Sequence, residues 1–169
     1  DIVRDKDGNA SALAIAEAFA YIESLGSTPL NFLDGLYQKY GYHLEKTENI
    51  YYEGAQGNAT IKRLIESYRT DPITEILDLK VESTKDYTEP VYVDEDEEPI
   101  VTQNFLQLFL DNHFRIDIRP SGTEPKIKYY LFGCGEAKPV NLDASKKEVH
   151  EMLDKVAKWI LTDAEERSK

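Results

Sequence analysis

Residues 119–126 read Arg-Pro-Ser-Gly-Thr-Glu-Pro-Lys, between two stretches that alternate apolar and polar side chains. Before the octapeptide, Phe114, Ile116 and Ile118 alternate with Arg115, Asp117 and Arg119. After it, Ile127, Tyr129 and Leu131 alternate with Lys126, Lys128 and Tyr130. Period-two alternation puts each set on one face of a strand. The two prolines stiffen the link between the strands, and the arrangement predicts an antiparallel hairpin. In that hairpin Arg119 and Lys128 sit on one side of the mouth. The loop's chemistry is as specific as its position. A guanidinium fork fits phosphate oxygens, Ser and Thr hydroxyls donate to the same atoms, and glycine lets backbone N–H groups approach an anion closely. These parts describe a receptacle for a phosphate monoester, against a plain Pro/Gly turn as the alternative.

The periodicity elsewhere predicts helices over 9–25, from Thr28 to Gly41, from Asn58 to just before Pro72, and from Asp143 or Ser145 to about Ile160. In the first, Leu13, Ile15, Ala16, Phe19, Ala20 and Ile22 make an apolar face that demands a cover, and Gly26 stops it. In the second, Pro29 follows the Thr28 cap, and Leu30, Leu33, Leu36, Tyr37 and Tyr40 form a stripe expected to be buried. In the third, Ile61, Leu64, Ile65 and Tyr68 share one face. In the last, Val149, Met152, Leu153, Val156 and Ile160 do, with the final residues expected to fray. Strands are expected from Tyr42 to about Tyr52, from Ile76 to Tyr87 with a break at Leu77-Asp78, and over 105–110, 114–118 and 126–132. Thr84–Pro99 reads as an acidic loop or irregular edge. Short connections favour antiparallel pairing. The expected architecture is α+β: two leading helices, then a unit of about four strands and two helices.

The chain has 169 residues, no apolar run of membrane-spanning length and a net charge of −12. That charge argues against a sequence-independent nucleic-acid binder and against docking on anionic lipid. The charge is uneven. Residues 113–130 carry Arg115, Arg119, Lys126 and Lys128 against Asp117 and Glu124, while 85–98 carry Lys85 against Asp86, Glu89, Asp94, Glu95, Asp96, Glu97 and Glu98. A basic spot on an acidic protein suits a small anionic ligand. The sole cysteine, Cys134, excludes an internal disulfide and suits the cytosol. The start at Asp1, with neither Met nor a signal-like stretch, reads as a chain cut from a longer protein.

Other groups carry weaker readings. Asp94–Glu98 reads as a solvated acidic loop, since adjacent carboxylates cannot all converge on one ion. Asp5-Lys-Asp-Gly8 opens like a calcium loop but lacks the distal Glu. His43, His113 and His150 are far apart in sequence, so no zinc site is expected. His113 reads as a solvent-facing turn residue and Cys134 as an inert thiol. The tyrosines at 40, 42, 51 and 52 read as packing, and Trp159 as core.

The octapeptide resembles the phosphate-binding loop of the α-D-phosphohexomutases, and its order is close to that family's signature. The lead-in Asn104-Phe-Leu-Gln-Leu-Phe-Leu-Asp-Asn-His-Phe-Arg-Ile-Asp-Ile, the exit Lys128-Tyr-Tyr-Leu, and the segment from Arg4-Asp-Lys-Asp-Gly-Asn through Tyr40-Gly-Tyr resemble the same family. The likeness covers essentially the whole chain and is nearest the phosphoglucomutase/phosphomannomutase branch. It implies residues 1–42 as the last helices of an α/β third domain. It implies residues 43–169 as a TATA-binding-protein-like fourth domain, a fold label without DNA binding. It further implies a cytoplasmic enzyme that moves phosphate between C1 and C6 of a sugar phosphate through a phosphoserine, with Mg²⁺ in the full-length protein. Its partners would be the sugar phosphate and the other domains of the same polypeptide. Carried over by position, Arg119, Ser121, Gly122 and Thr123 are phosphate ligands, Lys126 contributes by charge alone, and Lys128 stands where many relatives have Arg. Glu124 is then expected to turn away from the anion or pair with a lysine. The sequence has no Ser-His-Asn phosphoserine motif, no Asp-x-Asp-x-Asp metal loop and no Gly-Glu-x-Ser sugar loop. The expectation is therefore a chain without catalytic residues, inactive alone, that holds the phosphate that does not move. Mannose, glucosamine or pentose phosphates are alternative substrates, and a stand-alone phosphate-binding or interaction module is the alternative class.

Overall fold

The computed structural model describes residues 7–54, 56–89, 92–94, 96–136 and 138–169. The readings placed on Arg4–Lys6 and on Glu95 lie outside these residues.

Six strands form one sheet in the order β1-β6-β5-β4-β3-β2, with every neighbouring pair antiparallel. They are β1 (His43–Tyr51), β2 (Glu75–Ile76), β3 (Leu79–Asp86), β4 (Leu106–Leu110), β5 (Arg115–Pro120) and β6 (Lys126–Cys134). The expected count of about four is too low. The break at Leu77-Asp78 is a tight turn, with Leu77 at φ 56°, that folds Glu75–Ile76 back on Leu79–Lys80 as a separate strand. The irregular part of the 84–99 segment begins later than Thr84, because β3 runs on to Asp86 against β4.

Alternation decides the layers. Leu106, Leu108, Leu110, Ile116, Ile118, Ile127, Tyr129 and Leu131 are all buried. Two helices, α3 (Gly57–Thr70) and α4 (Leu142–Ser168), contribute Ile61, Leu64, Ile65, Tyr68, Val149, Leu153, Val156 and Ile160 to the same core. Deep inside it the hydroxyls of Tyr68 and Tyr129 lie 3.1 Å apart, sharing one hydrogen bond. Burial pushes both phenols well above the ordinary tyrosine range. The other side of the sheet carries Arg119, Lys128, Tyr130 and the β1 residues Thr47 and Asn49 opposite them.

Helix boundaries differ from the sequence reading at three ends. Asn58 is not the cap of α3. Gln56 holds that position without a side-chain bond, and Gly57 starts the helix pressed against Tyr52, where a Cβ would lie 1.9 Å from the Tyr52 carbonyl oxygen. Neither Asp143 nor Ser145 caps α4. The Asn141 side chain accepts from the Ala144 N–H at 3.1 Å, which starts the helix at Leu142. The C-terminal residues do not fray. Arg167 donates to the carbonyls of Ser67 and Asp71 at 3.2 and 2.8 Å, pairs with Asp163, and lies over the Tyr68 ring.

The leading helices are α1 (Gly8–Ser24) and α2 (Pro29–Tyr40). Gly26, at φ 72°, donates to the Glu23 carbonyl, and Ser27 reaches Ile22, a Schellman stop for α1. Thr28 and Pro29 open α2 as expected. The buried stripe of α2 is not observed: Leu30, Leu33, Leu36 and Tyr40 are exposed and Tyr37 is half-buried. The helix meets the core through a few contacts at its C-terminal half. Tyr37 packs edge-on against Tyr42, Gln38 donates to the Pro139 carbonyl, and Asp34 pairs with Lys146. On α1 only Ile22 is buried, and Leu13 is 72% exposed.

Candidate functional site

The register of β5 and β6 sets Arg119 directly opposite Lys128 and Pro120 opposite Ile127. The octapeptide is thus the connection of a hairpin, as its flanking alternation predicts. Ser121 N–H donates to the Lys126 carbonyl at 2.9 Å, closing the loop at its neck. Arg119, Pro120, Ser121, Gly122, Lys128 and Tyr130 line a cavity of about 180 Å³ at that end of the sheet. Among the described residues neither Arg119 nor Lys128 pairs with a carboxylate.

Inside the loop, Ser121 Oγ accepts from the Thr123 and Glu124 amides at 3.4 and 3.3 Å, long bonds for such a pair. Gly122 is not required by the backbone. Its φ is not in the left-handed region, and a Cβ built there meets nothing within 4 Å. Gly122 lines the cavity, and the absence of a side chain keeps the loop backbone there open to close approach.

The loop is braced from the neighbouring edge strand. Tyr52 N–H donates to the Pro125 carbonyl at 2.9 Å, and Lys126 Nζ donates to the Tyr51 hydroxyl at 3.2 Å. Glu124 pairs with Lys126 at 2.6 Å, so the one carboxylate of the octapeptide is neutralised beside the loop. Glu124 and Tyr51 hold the Lys126 ammonium above its ordinary pKa. Arg119, Ser121, Gly122 and Lys128 are therefore brought together, whereas Lys126 serves the brace and Thr123 stands outside the cavity lining. Tyr130 lines the cavity and was not singled out from sequence. Its position two residues beyond Lys128, on the same strand face, was the available signal.

Asp117, two residues before Arg119, is only 6% exposed. Burial raises its carboxyl pKa, against Arg115 at 2.9 Å and the Gln107 amide, which pull the other way. Among the described residues no group of three or more His, Cys, Asp or Glu side chains is placed to hold a metal ion. The magnesium of the resemblance finds no donor set in them, and no step is assigned to it. The sheet does bring His43 and Cys134 together, 3.5 Å apart on paired positions of β1 and β6, a proximity that sequence distance hid. The Cys134 thiol is half-buried and its pKa is raised by burial, away from reactivity. His113 is exposed in its turn, and Trp159 is partly buried against the core. Asp94 accepts from the Asp96 and Glu98 amides, folding the acidic segment on itself. Among the described residues no helix is long and apolar enough to cross a membrane.

A phosphoglucomutase of Staphylococcus aureus (strain bovine RF122 / ET3-1) is 32% identical to this chain over 156 residues, 89% of its length. The chain belongs to the phosphohexomutase family. A second phosphoglucomutase, from Staphylococcus aureus strain MRSA252, is 34% identical over 134 residues, 76% of this chain. The chain spans about a quarter of the length of these curated relatives, 27% and 24% respectively. No protein-family model matches it. A crystal structure of the open form of parafusin from Paramecium, an exocytosis-sensitive phosphoprotein described as a phosphoglucomutase, aligns over 94% of this chain and 28% of its own, with a TM-score of 0.48 at 15% identity.

Proposed function

We propose that this chain is the phosphate-holding part of a phosphoglucomutase-type enzyme, gripping the phosphate of a hexose phosphate that is not being transferred. The observation that carries the reading is the cross-strand pair Arg119–Lys128 standing over Ser121 and Gly122 at one cavity. Arg119 offers a bidentate fork and Lys128 a point charge, so a phosphate dianion meets two cations from adjacent strands. The Ser121 hydroxyl and the loosely held amides of Thr123 and Glu124 then supply donors that a charged oxygen takes at shorter range than Ser121 Oγ does. Glu124 is kept from opposing the anion by its pairing with Lys126.

Such a grip performs no chemistry itself. Binding energy from a remote, non-reacting group orients the substrate and is spent at the reacting centre. In this reading residues 1–42 and 43–169 belong to successive domains of a longer enzyme, a cytoplasmic isomerase. Its phosphoserine and magnesium lie in its other domains, which are also this chain's partners. Lys126 and Thr123 act by charge and loop shape. The isolated chain binds weakly, since the remaining sugar contacts come from elsewhere, and it turns over nothing.

The test is an NMR titration of the chain with glucose 6-phosphate. Shifts confined to residues 119–130, lost on Arg119→Ala, support the assignment. Shifts scattered away from that segment, or unchanged in the Arg119→Ala protein, defeat it. Any mutase turnover by a clean preparation of the chain with Mg²⁺ refutes the division of labour.

A further inference from the structure

Four tyrosines of the sheet unit have hydroxyls with partners: Tyr68 and Tyr129 bond each other, Tyr87 donates to Gln107, and Tyr51 accepts from Lys126. Tyr130 differs from these four. Among the described residues its hydroxyl has no hydrogen-bond partner, yet its side chain lines the cavity beside Lys128 and Arg119. It is half-buried on β6, paired with Thr47 on β1 and with Asp117 on β5. Being two residues beyond Lys128 on the same face, it is rooted roughly 6.5 Å further along the strand backbone than Lys128. Lys128 is the residue paired with Arg119, so Tyr130 stands one step outside the pair of cations on the same strand face. A ligand whose phosphate sits at that pair carries its hydroxyls outside it.

We infer that Tyr130 is a specificity-determining residue of this cavity, donating its hydroxyl to the hydroxylated organic part of a phosphate monoester. The inference rests on the phosphate-holding reading above and deepens it. The loop takes the phosphate, and Tyr130 tells a sugar phosphate from free inorganic phosphate. Its neighbour Asp117 cannot take over this task, because it is buried and committed to Arg115 and Gln107. The Tyr130 hydroxyl is an unspent donor among the residues that line the cavity.

The test compares inorganic phosphate and glucose 6-phosphate as NMR titrants of the wild-type chain, Tyr130→Phe and Arg119→Ala. Tyr130→Phe removes only a half-exposed hydroxyl, and its amide spectrum checks that the fold is kept. The expected result is an affinity for glucose 6-phosphate lowered about fivefold in Tyr130→Phe, the size of one neutral hydrogen bond, with inorganic phosphate unaffected. Equal weakening of both ligands, or of neither, overturns the role of Tyr130 while leaving the phosphate grip standing. If Arg119→Ala leaves both ligands bound as in wild type, the phosphate-holding reading fails and takes this inference with it.

Discussion

Arg119 and Lys128 occupy directly opposed positions on β5 and β6, so two like charges share one cross-strand site. Like charges placed so destabilise a sheet by some tenths of a kcal/mol up to about 1 kcal/mol, and a bound dianion relieves them. Lys128→Met is therefore expected to raise the thermal midpoint of the free chain slightly while weakening phosphate about tenfold. Melting with and without phosphate checks both halves. A variant less stable and equally good at binding contradicts the relationship.

Gly122 separates binding from folding even more cleanly. Its backbone conformation suits any residue and a Cβ finds open space. Gly122→Ala should leave the urea midpoint unchanged or raise stability by about 0.5 kcal/mol, through the smaller entropy of the unfolded chain. A methyl group added to the loop proposed to take the phosphate should crowd it, and affinity is expected to fall at least tenfold. Equilibrium unfolding and a phosphate titration on one sample decide the matter.

Tyr51→Phe removes the hydroxyl that receives Lys126 Nζ at the sheet edge. The pair is exposed, so global stability should change by less than about 0.5 kcal/mol. The loop should loosen instead. Amide exchange at Ser121 and Lys126 is expected to quicken several-fold while the core amides of β5 and β6 keep their protection. Uniform quickening would mean that Tyr51 acts on the whole sheet.

Tyr68 and Tyr129 set the alkaline limit. Both folded-state pKa values are raised above the unfolded value of about 10. The unfolded chain can ionise these phenols where the native chain cannot. The stability they contribute is fully present below about pH 10 and is lost as pH rises beyond it. Between about pH 9 and pH 11 the wild-type chain should lose about 3 kcal/mol more than a Tyr68→Phe/Tyr129→Phe double variant, which lacks both groups. Equal losses would show that these hydroxyls are solvated in the native state.

Much of this was legible before any coordinates. The alternation of Phe114–Arg119 against Lys126–Leu131 fixed which residues share a face, so the meeting of Arg119 and Lys128 followed from parity. Charge left two placements for Glu124, turned away from the anion or paired with a lysine, and the structure shows the pairing with Lys126. Three things did not follow. The roles of Tyr51 and Tyr52 depend on β1 lying beside β6, a pairing between distant segments that no local pattern encodes. The starts of α3 and α4 were set by contacts of Gly57 and Asn141 that outweigh the cap preference of Asn58, Asp143 and Ser145. The stripe on α2 has helical spacing whether or not anything covers it, and periodicity alone cannot say where its cover lies.

The strand order has one more consequence. Strands β2 to β6 follow each other in space as they do in sequence, but β1 joins from the far end of the chain, pairing His43 with Cys134 across 91 residues. The brace on the loop of residues 119–126, Tyr51 to Lys126, spans 75 residues. Closing so long a loop is slow compared with folding the consecutive hairpins. On a ribosome, β1 emerges early and must wait for its partner strand. The brace then forms last, after the hairpin it steadies, and a nascent chain stalled before β6 leaves Tyr51 without its partner.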